Sequence, residues 1–95
     1  MIKKYKTAIY TDLNGFTNVI FHSTPVVTFN TDTITLNTGG WWTRTTKDRM
    51  NSSSDVFNLG FSVIQRNFNW FVIYQGNKIP FNTSVLTLKR GELDG

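Results

Sequence analysis

The chain has 95 residues (10.9 kDa), of which 39% are hydrophobic, 15% aromatic and 17% charged. That length holds one domain, expected to span residues 1–95; the aromatic and β-branched content excludes disorder, and apolar runs such as Phe71-Val72-Ile73-Tyr74 fall far short of the ~20 residues of a membrane helix. The absence of cysteine excludes disulfides, thiolate metal sites and a cysteine nucleophile, and ten basic against six acidic residues leave a net charge of +4, which permits polyanion binding without requiring it.

Residues 3–10, Lys3-Lys4-Tyr5-Lys6-Thr7-Ala8-Ile9-Tyr10, alternate as an opening strand. No apolar segment follows the basic start, so no signal peptide is expected and the protein is read as cytoplasmic, with no membrane partner. The lysines serve either a basic patch or the protection of an edge strand, with the guard role preferred. Asp12-Leu13-Asn14-Gly15 is a turn, Thr17–Phe21 a second strand, and Ser23-Thr24-Pro25 a break, because proline cannot donate to a ladder. Val26–Phe29 and Thr33–Leu36 are strands around the turn Asn30-Thr31-Asp32, completing an antiparallel meander.

Asn37-Thr38-Gly39-Gly40 breaks the pattern ahead of Trp41-Trp42-Thr43-Arg44. A helix is expected over about 46–58, opened by Thr45 as N-cap with Asp48 three residues later and stopped at Gly60. Met50 and Phe57, with Ser53 and Ser54, share its inner face; the serines are weak helix formers, so packing must hold the element. Phe61–Gln65 and Phe68–Tyr74 read as an aromatic hairpin about the turn Arg66-Asn67. Ile79-Pro80-Phe81 is a weaker edge strand, followed by Val85–Leu88, whose Leu86 and Leu88 point one way. Gly91-Glu92-Leu93-Asp94-Gly95 reads as the end of a flexible tail from about residue 90. Fourteen threonines fit a β-rich chain. The expected class is α+β: a small curled antiparallel sheet of about six to eight short strands with one helix packed on one face.

Catalytic chemistry finds little support. The single histidine, His22, ends an apolar alternation and reads as a half-exposed strand-end residue. Glu92 is the lone glutamate, and the five aspartates show neither metal-ligand nor dyad spacing. Gly39-Gly40 has no phosphate-loop spacing. No catalytic residue, no metal and no cofactor is assigned, and the protein is expected not to be an enzyme.

The informative stretch is Gly39–Arg49, with two tryptophans and three cations against one acid ahead of a helix start. Arginine and lysine attract phosphates and release counterions, hydroxyls and free N–H groups at a helix start accept phosphate oxygens, and an exposed indole stacks on an unpaired base. Trp41, Trp42, Arg44, Thr46, Lys47 and Arg49, extended by Arg66 and Trp70, are the candidate binding residues. The basic bias is N-terminal, +3 over residues 1–50 against +1 for the remainder. A structural role competes: adjacent residues cannot both face a core, so one tryptophan is expected buried and the other half exposed, with Trp42 able to staple the helix start against Met50 and the arginines forming a solvated face.

The run Ile34-Thr35-Leu36-Asn37-Thr38-Gly39-Gly40-Trp41, then Thr43-Arg44-Thr45-Thr46-Lys47-Asp48-Arg49-Met50-Asn51, with Val63-Ile64-Gln65-Arg66 and Trp70-Phe71-Val72 downstream, resembles a group of small phage- and plasmid-associated proteins. Their shared block reads roughly ITLNSGGW-x-T-x-TTK-x-RMN followed by WFV; here Thr38 stands where serine is usual. The resemblance implies origin in a phage or mobile element and carries no catalytic residue with it. By analogy the chain is expected to be a non-enzymatic phage accessory protein that engages nucleic acid or a host nucleoprotein complex such as a CRISPR effector, in an anti-defence role. The alternative is a structural or virion-associated homo-oligomer, suggested by the aromatic hairpin 61–74. A small nuclease using Asp12, Asp32, Asp48 or Asp55 ranks last.

Overall fold

The computed structural model describes residues 7–91. Among them the chain forms β1 (Thr7–Thr11), β2 (Thr17–Phe21), β3 (Thr24–Phe29), β4 (Thr33–Asn37), α1 (Arg44–Phe57), β5 (Phe61–Arg66), β6 (Asn69–Tyr74), β7 (Asn77–Pro80) and β8 (Val85–Lys89). The α+β class and the antiparallel pairing follow the expectation. The strands divide into two sheets, ordered β1-β2-β3-β4-β8 and β5-β6-β7. The division arises because β8 returns to pair along β4, from Thr33↔Lys89 to Asn37↔Val85, leaving the aromatic hairpin and β7 to form a sheet of their own.

One buried cluster draws on every layer. Val19, Val27, Ile34, Leu36 and Leu88 come from the larger sheet, Met50 from the helix, and Phe61, Val63, Trp70, Val72 and Tyr74 from the smaller one. The period-2 alternation of Ile34 and Leu36, and of Trp70, Val72 and Tyr74, aims each set at this core. The helix contributes Met50 with Thr46, Ser53 and Ser54 buried beside it. Phe57, placed on the same face by the helical period, is half-buried against Phe29, with ring centroids 5.0 Å apart.

Helix α1 also takes the place of a missing strand. Asn51 donates from Nδ2 to the Val63 carbonyl (3.0 Å) and accepts at Oδ1 from the Val63 N–H (2.7 Å). One turn on, the Ser54 hydroxyl donates to the Phe61 carbonyl (2.7 Å) and accepts from the Phe61 N–H (3.0 Å). The outward backbone of β5 is thereby satisfied by side chains, which protects a sheet edge. Replacing Asn51 with leucine strips both partners from Val63 and is expected to cost about 1–3 kcal/mol, read as a lower urea midpoint at unchanged slope. An Asn51→Leu protein as stable as the parent would show that the amide does not hold this edge.

Four local expectations are corrected. Pro25 lies inside β3 and not in a break before it, because the β2–β3 register shifts from Val19↔Val27 to Ile20↔Pro25, a bulge that absorbs the missing donor. The N-cap is Thr43, extended at φ −117° and accepting from the Thr46 N–H, so the helix starts two residues early and the Thr45/Asp48 box does not form. Its C-cap is Asn58, in the left-handed region at φ 56°, ahead of Gly60. The hairpin turn is Asn67-Phe68, one residue later than expected. That register pairs Gln65 with Trp70 and lets Trp70, Val72 and Tyr74 face the core together.

Pro80 does lie in an edge strand, β7, and Leu88 is buried while Val85 and Thr87 are exposed. Arg90 is tied to the β3–β4 turn through its N–H to the Asp32 carbonyl (2.8 Å) and its Nη1 to the Asn30 carbonyl (2.6 Å). The basic start Lys3-Lys4-Lys6 and the tail from residue 92 lie outside the described residues. No described helix is long and apolar enough to cross a membrane.

Candidate functional site

The loop between β4 and α1 is shaped by two glycines. Gly39 and Gly40 both take positive φ (62° and 86°), and the Trp41 N–H closes the turn on the Thr38 carbonyl (2.9 Å). Asn37 Oδ1 accepts from the Gly39 N–H and Thr38 Oγ1 from the Gly40 N–H, while the Thr38 N–H is fixed to the Ser84 carbonyl. The turn is therefore rigid at its root, and it delivers Trp41 and Trp42 to the surface just before the Thr43 cap.

Neither tryptophan is buried: Trp41 is 65% exposed and Trp42 41%. The expectation that one would enter the core fails because both stand in a loop and not in a strand. Trp42 packs edge-on to Trp70 (4.9 Å) and Phe81 (5.5 Å), which replaces the contact expected with Met50. Trp70 itself is 5% exposed. It supports the site from beneath and offers no face for a ligand to cover, a correction to its assignment as a contact residue.

The cations separate into two groups. The Arg44 side chain is 90% exposed, with its Nε 4.0 Å from the Asp48 carboxylate, itself 61% exposed, a pair worth little in water. Lys47 donates to Gln65 Oε1 (3.0 Å) and lies 5.6 Å from the Trp70 ring. Arg66 is exposed at the end of β5. Arg49 departs from this group: its guanidinium lies over Phe21 at 4.7 Å, and its Nε is buried without a partner. Thr46 is buried, its backbone N–H capped by Thr43 and its hydroxyl 3.2 Å from that of Thr43. Its role is to fix the helix start, which corrects its assignment to a binding surface.

Chain direction puts Arg44, Lys47 and Arg66 at one end of the molecule. α1 and β5 run antiparallel, with Ser54 beside Phe61, Asn51 beside Val63 and Lys47 beside Gln65. The helix start and the β5–β6 turn therefore share one end of the molecule. Asp12 and Asp32 occupy the β1–β2 and β3–β4 turns at the far ends of their strands, and Asp55 lies in the last turn of α1. Asp12 is committed to its own turn, accepting from the N–H groups of Asn14 and Phe16 and from Asn18 Nδ2. Among the described carboxylates, Asp48 alone accompanies the cationic end.

Two concavities flank the tryptophans. One, of about 650 Å³, lies beside Trp41, walled by Phe21, Val26 and a set of threonines from β3, the β4–α1 loop and the helix start. His22 lines its mouth, exposed at positive φ in the β2–β3 turn. The other, of about 400 Å³, lies between Trp42, Phe68, Trp70 and Phe81, with the amides of Gln65, Asn69 and Asn82 around it. Sequence reasoning missed Phe68, Asn69, Phe81 and Asn82 as site residues. The available signal was the dipeptide Asn67-Phe68, which fits a two-residue turn once Arg66 is placed in the strand.

Among the described residues no three histidine, aspartate or glutamate side chains come together as a metal would require. No curated protein and no solved structure matches the chain. A family model does, that of the Kyanoviridae Gp96 protein, over residues 1–88. With the match running through both sheets, the helix and the tryptophan loop, the chain belongs to the Kyanoviridae Gp96 family of phage proteins.

Proposed function

We propose that this phage protein is a non-enzymatic binding module, acting in the host cell, that engages nucleic acid or the nucleic-acid site of a host nucleoprotein complex, in the manner of an anti-defence inhibitor. The observation that carries the proposal is the joint exposure of Trp41 and Trp42 at the same end of the molecule as Arg44, Lys47 and Arg66. Guanidinium and ammonium groups neutralise phosphates and release counterions, and exposed indoles supply stacking faces. The far end, with Asp12, Asp32 and Asp55, lacks this combination.

Arg44 and Arg66 are exposed and contribute little to packing, so they test the idea with the fold intact. Arg44→Ala and Arg66→Ala are each expected to weaken binding to labelled DNA or RNA and to lower the slope of log affinity against log salt by about 1. Loss of both the affinity and the slope in the double variant supports direct binding. No salt-sensitive association of the parent protein with single- or double-stranded DNA or RNA removes the direct version and leaves a protein surface as the target, to be sought by capture from host lysate.

A further inference from the structure

We infer that the Asn67-Phe68 turn and the groove behind it form a stacking site for the bases of a single-stranded nucleic acid. The inference deepens the nucleic-acid reading above and rests on it.

The smaller sheet contains two hairpins, each closed by a two-residue turn with positive φ at both positions. In the β6–β7 turn these are Gln75 (51°) and Gly76 (79°); in the β5–β6 turn they are Asn67 (51°) and Phe68 (70°). Such turns match the twist of the strands, and the second position favours glycine because a Cβ is strained there. Gly76 meets that preference. Phe68 places one of the largest L side chains in the same backbone conformation, a rare combination. Burial does not compensate it, since Phe68 is 93% exposed. The sheet thus forms the same turn twice, once with the unstrained residue and once with a solvated phenyl ring that adds nothing to the core.

The surroundings specify what that ring would meet. Behind it runs the groove of about 400 Å³, walled by Trp42, Trp70 and Phe81 and edged by the amides of Gln65, Asn69 and Asn82. The ring faces free to stack are those of Phe68 and Trp42, over a floor of the buried Trp70 and Phe81; with the amide edges they suit a planar heterocycle that also carries donors and acceptors on its rim. No carboxylate lines the groove. Lys47, bonded to Gln65, and Arg66, the ladder partner of Asn69, stand beside it to meet the phosphates. A base within a duplex is covered on both faces by its neighbours, so an unpaired strand is the form that can enter. The positive rim beside the groove favours this occupant over an apolar peptide.

The test is a fluorescence-anisotropy titration with a labelled 20-nucleotide oligothymidine and a duplex of equal length, each at two salt concentrations, with tryptophan emission followed in parallel. Glycine is the residue the turn prefers, so Phe68→Gly is expected to fold with an unchanged or raised Tm. It should weaken oligothymidine binding by roughly 5- to 100-fold, the size expected for one lost stacking contact. Duplex binding and the salt slope should stay as in the parent, and Phe68→Trp should restore the affinity. The parent should bind oligothymidine more tightly than duplex, with quenching of tryptophan emission.

Salt-sensitive binding that ignores Phe68 and does not prefer the single strand overturns this inference and leaves the general nucleic-acid reading standing. No binding to either probe overturns both. A Phe68→Gly variant that loses stability, or that converts a self-associating parent to a monomer, overturns the inference in favour of a folding or self-assembly role for the ring.

Discussion

Phe81→Ala is expected to lower stability by about 3–5 kcal/mol, the range for emptying a buried aromatic site. Phe81 is 1% exposed and follows β7, where its N–H bonds the Trp70 carbonyl at 2.9 Å. Its ring meets Trp42 at 5.5 Å and Trp70 at 6.1 Å, both in edge-type contacts. A domain of this size is stable by about 5–15 kcal/mol, so the substitution removes a large share of the total and should lower Tm by roughly 12 °C or more. A local effect should accompany it: Trp42 loses one of its two aromatic supports, and its emission should shift to the red in protein that is still folded. Phe81→Leu, which retains much of the volume, should cost less than half as much. A loss below 1 kcal/mol for the alanine variant, by urea unfolding, would mean that the Trp42–Trp70–Phe81 cluster does not anchor the tryptophan loop.

Gly39→Ala is expected to cost about 2–4 kcal/mol, from two separable sources. The first is backbone strain, because Gly39 sits at φ +62°. The second is steric: an added Cβ would lie 2.8 Å from both Cγ2 and Oγ1 of Thr24. Gly40 has the same kind of backbone, at φ +86°, with nothing within 4 Å of the added atom. Gly40→Ala should therefore cost only the conformational part, about 1 kcal/mol. In a double-mutant cycle, Thr24→Ala should relieve the Gly39→Ala penalty down to nearly the Gly40→Ala value. Equal costs for the two alanine variants, with no coupling to Thr24, would remove the steric account. The same close approach pins the β4–α1 loop against β3, so Gly39→Ala should also disturb Trp41 emission more than Gly40→Ala does.

The class, most of the elements and the cationic, indole-bearing character of the 39–49 stretch were legible in the order of residues alone. These are local properties. Alternation at Ile34/Leu36 and Trp70/Val72/Tyr74 reports strand faces, a hydroxyl ahead of Met50 reports a helix start, and a Gly-Gly pair before two tryptophans reports a loop. Which side chains of that stretch are free was set by the packing of the helix between the sheets. Thr46 and Arg49 lie within five residues of Arg44, yet the first is sealed under the cap and the second is turned onto Phe21, because the helical period sends them to the sheet side. Packing also rests Trp42 on Trp70 and Phe81, residues 28 and 39 positions away in the chain. The exposure of Phe68 depended on a single register step in the hairpin, which no local pattern resolves, since one residue of slip moves a side chain from core to solvent. Periodicity acts over a few residues, whereas surface and partner are settled by contacts between segments far apart in sequence, and those form only when both sheets close on the helix.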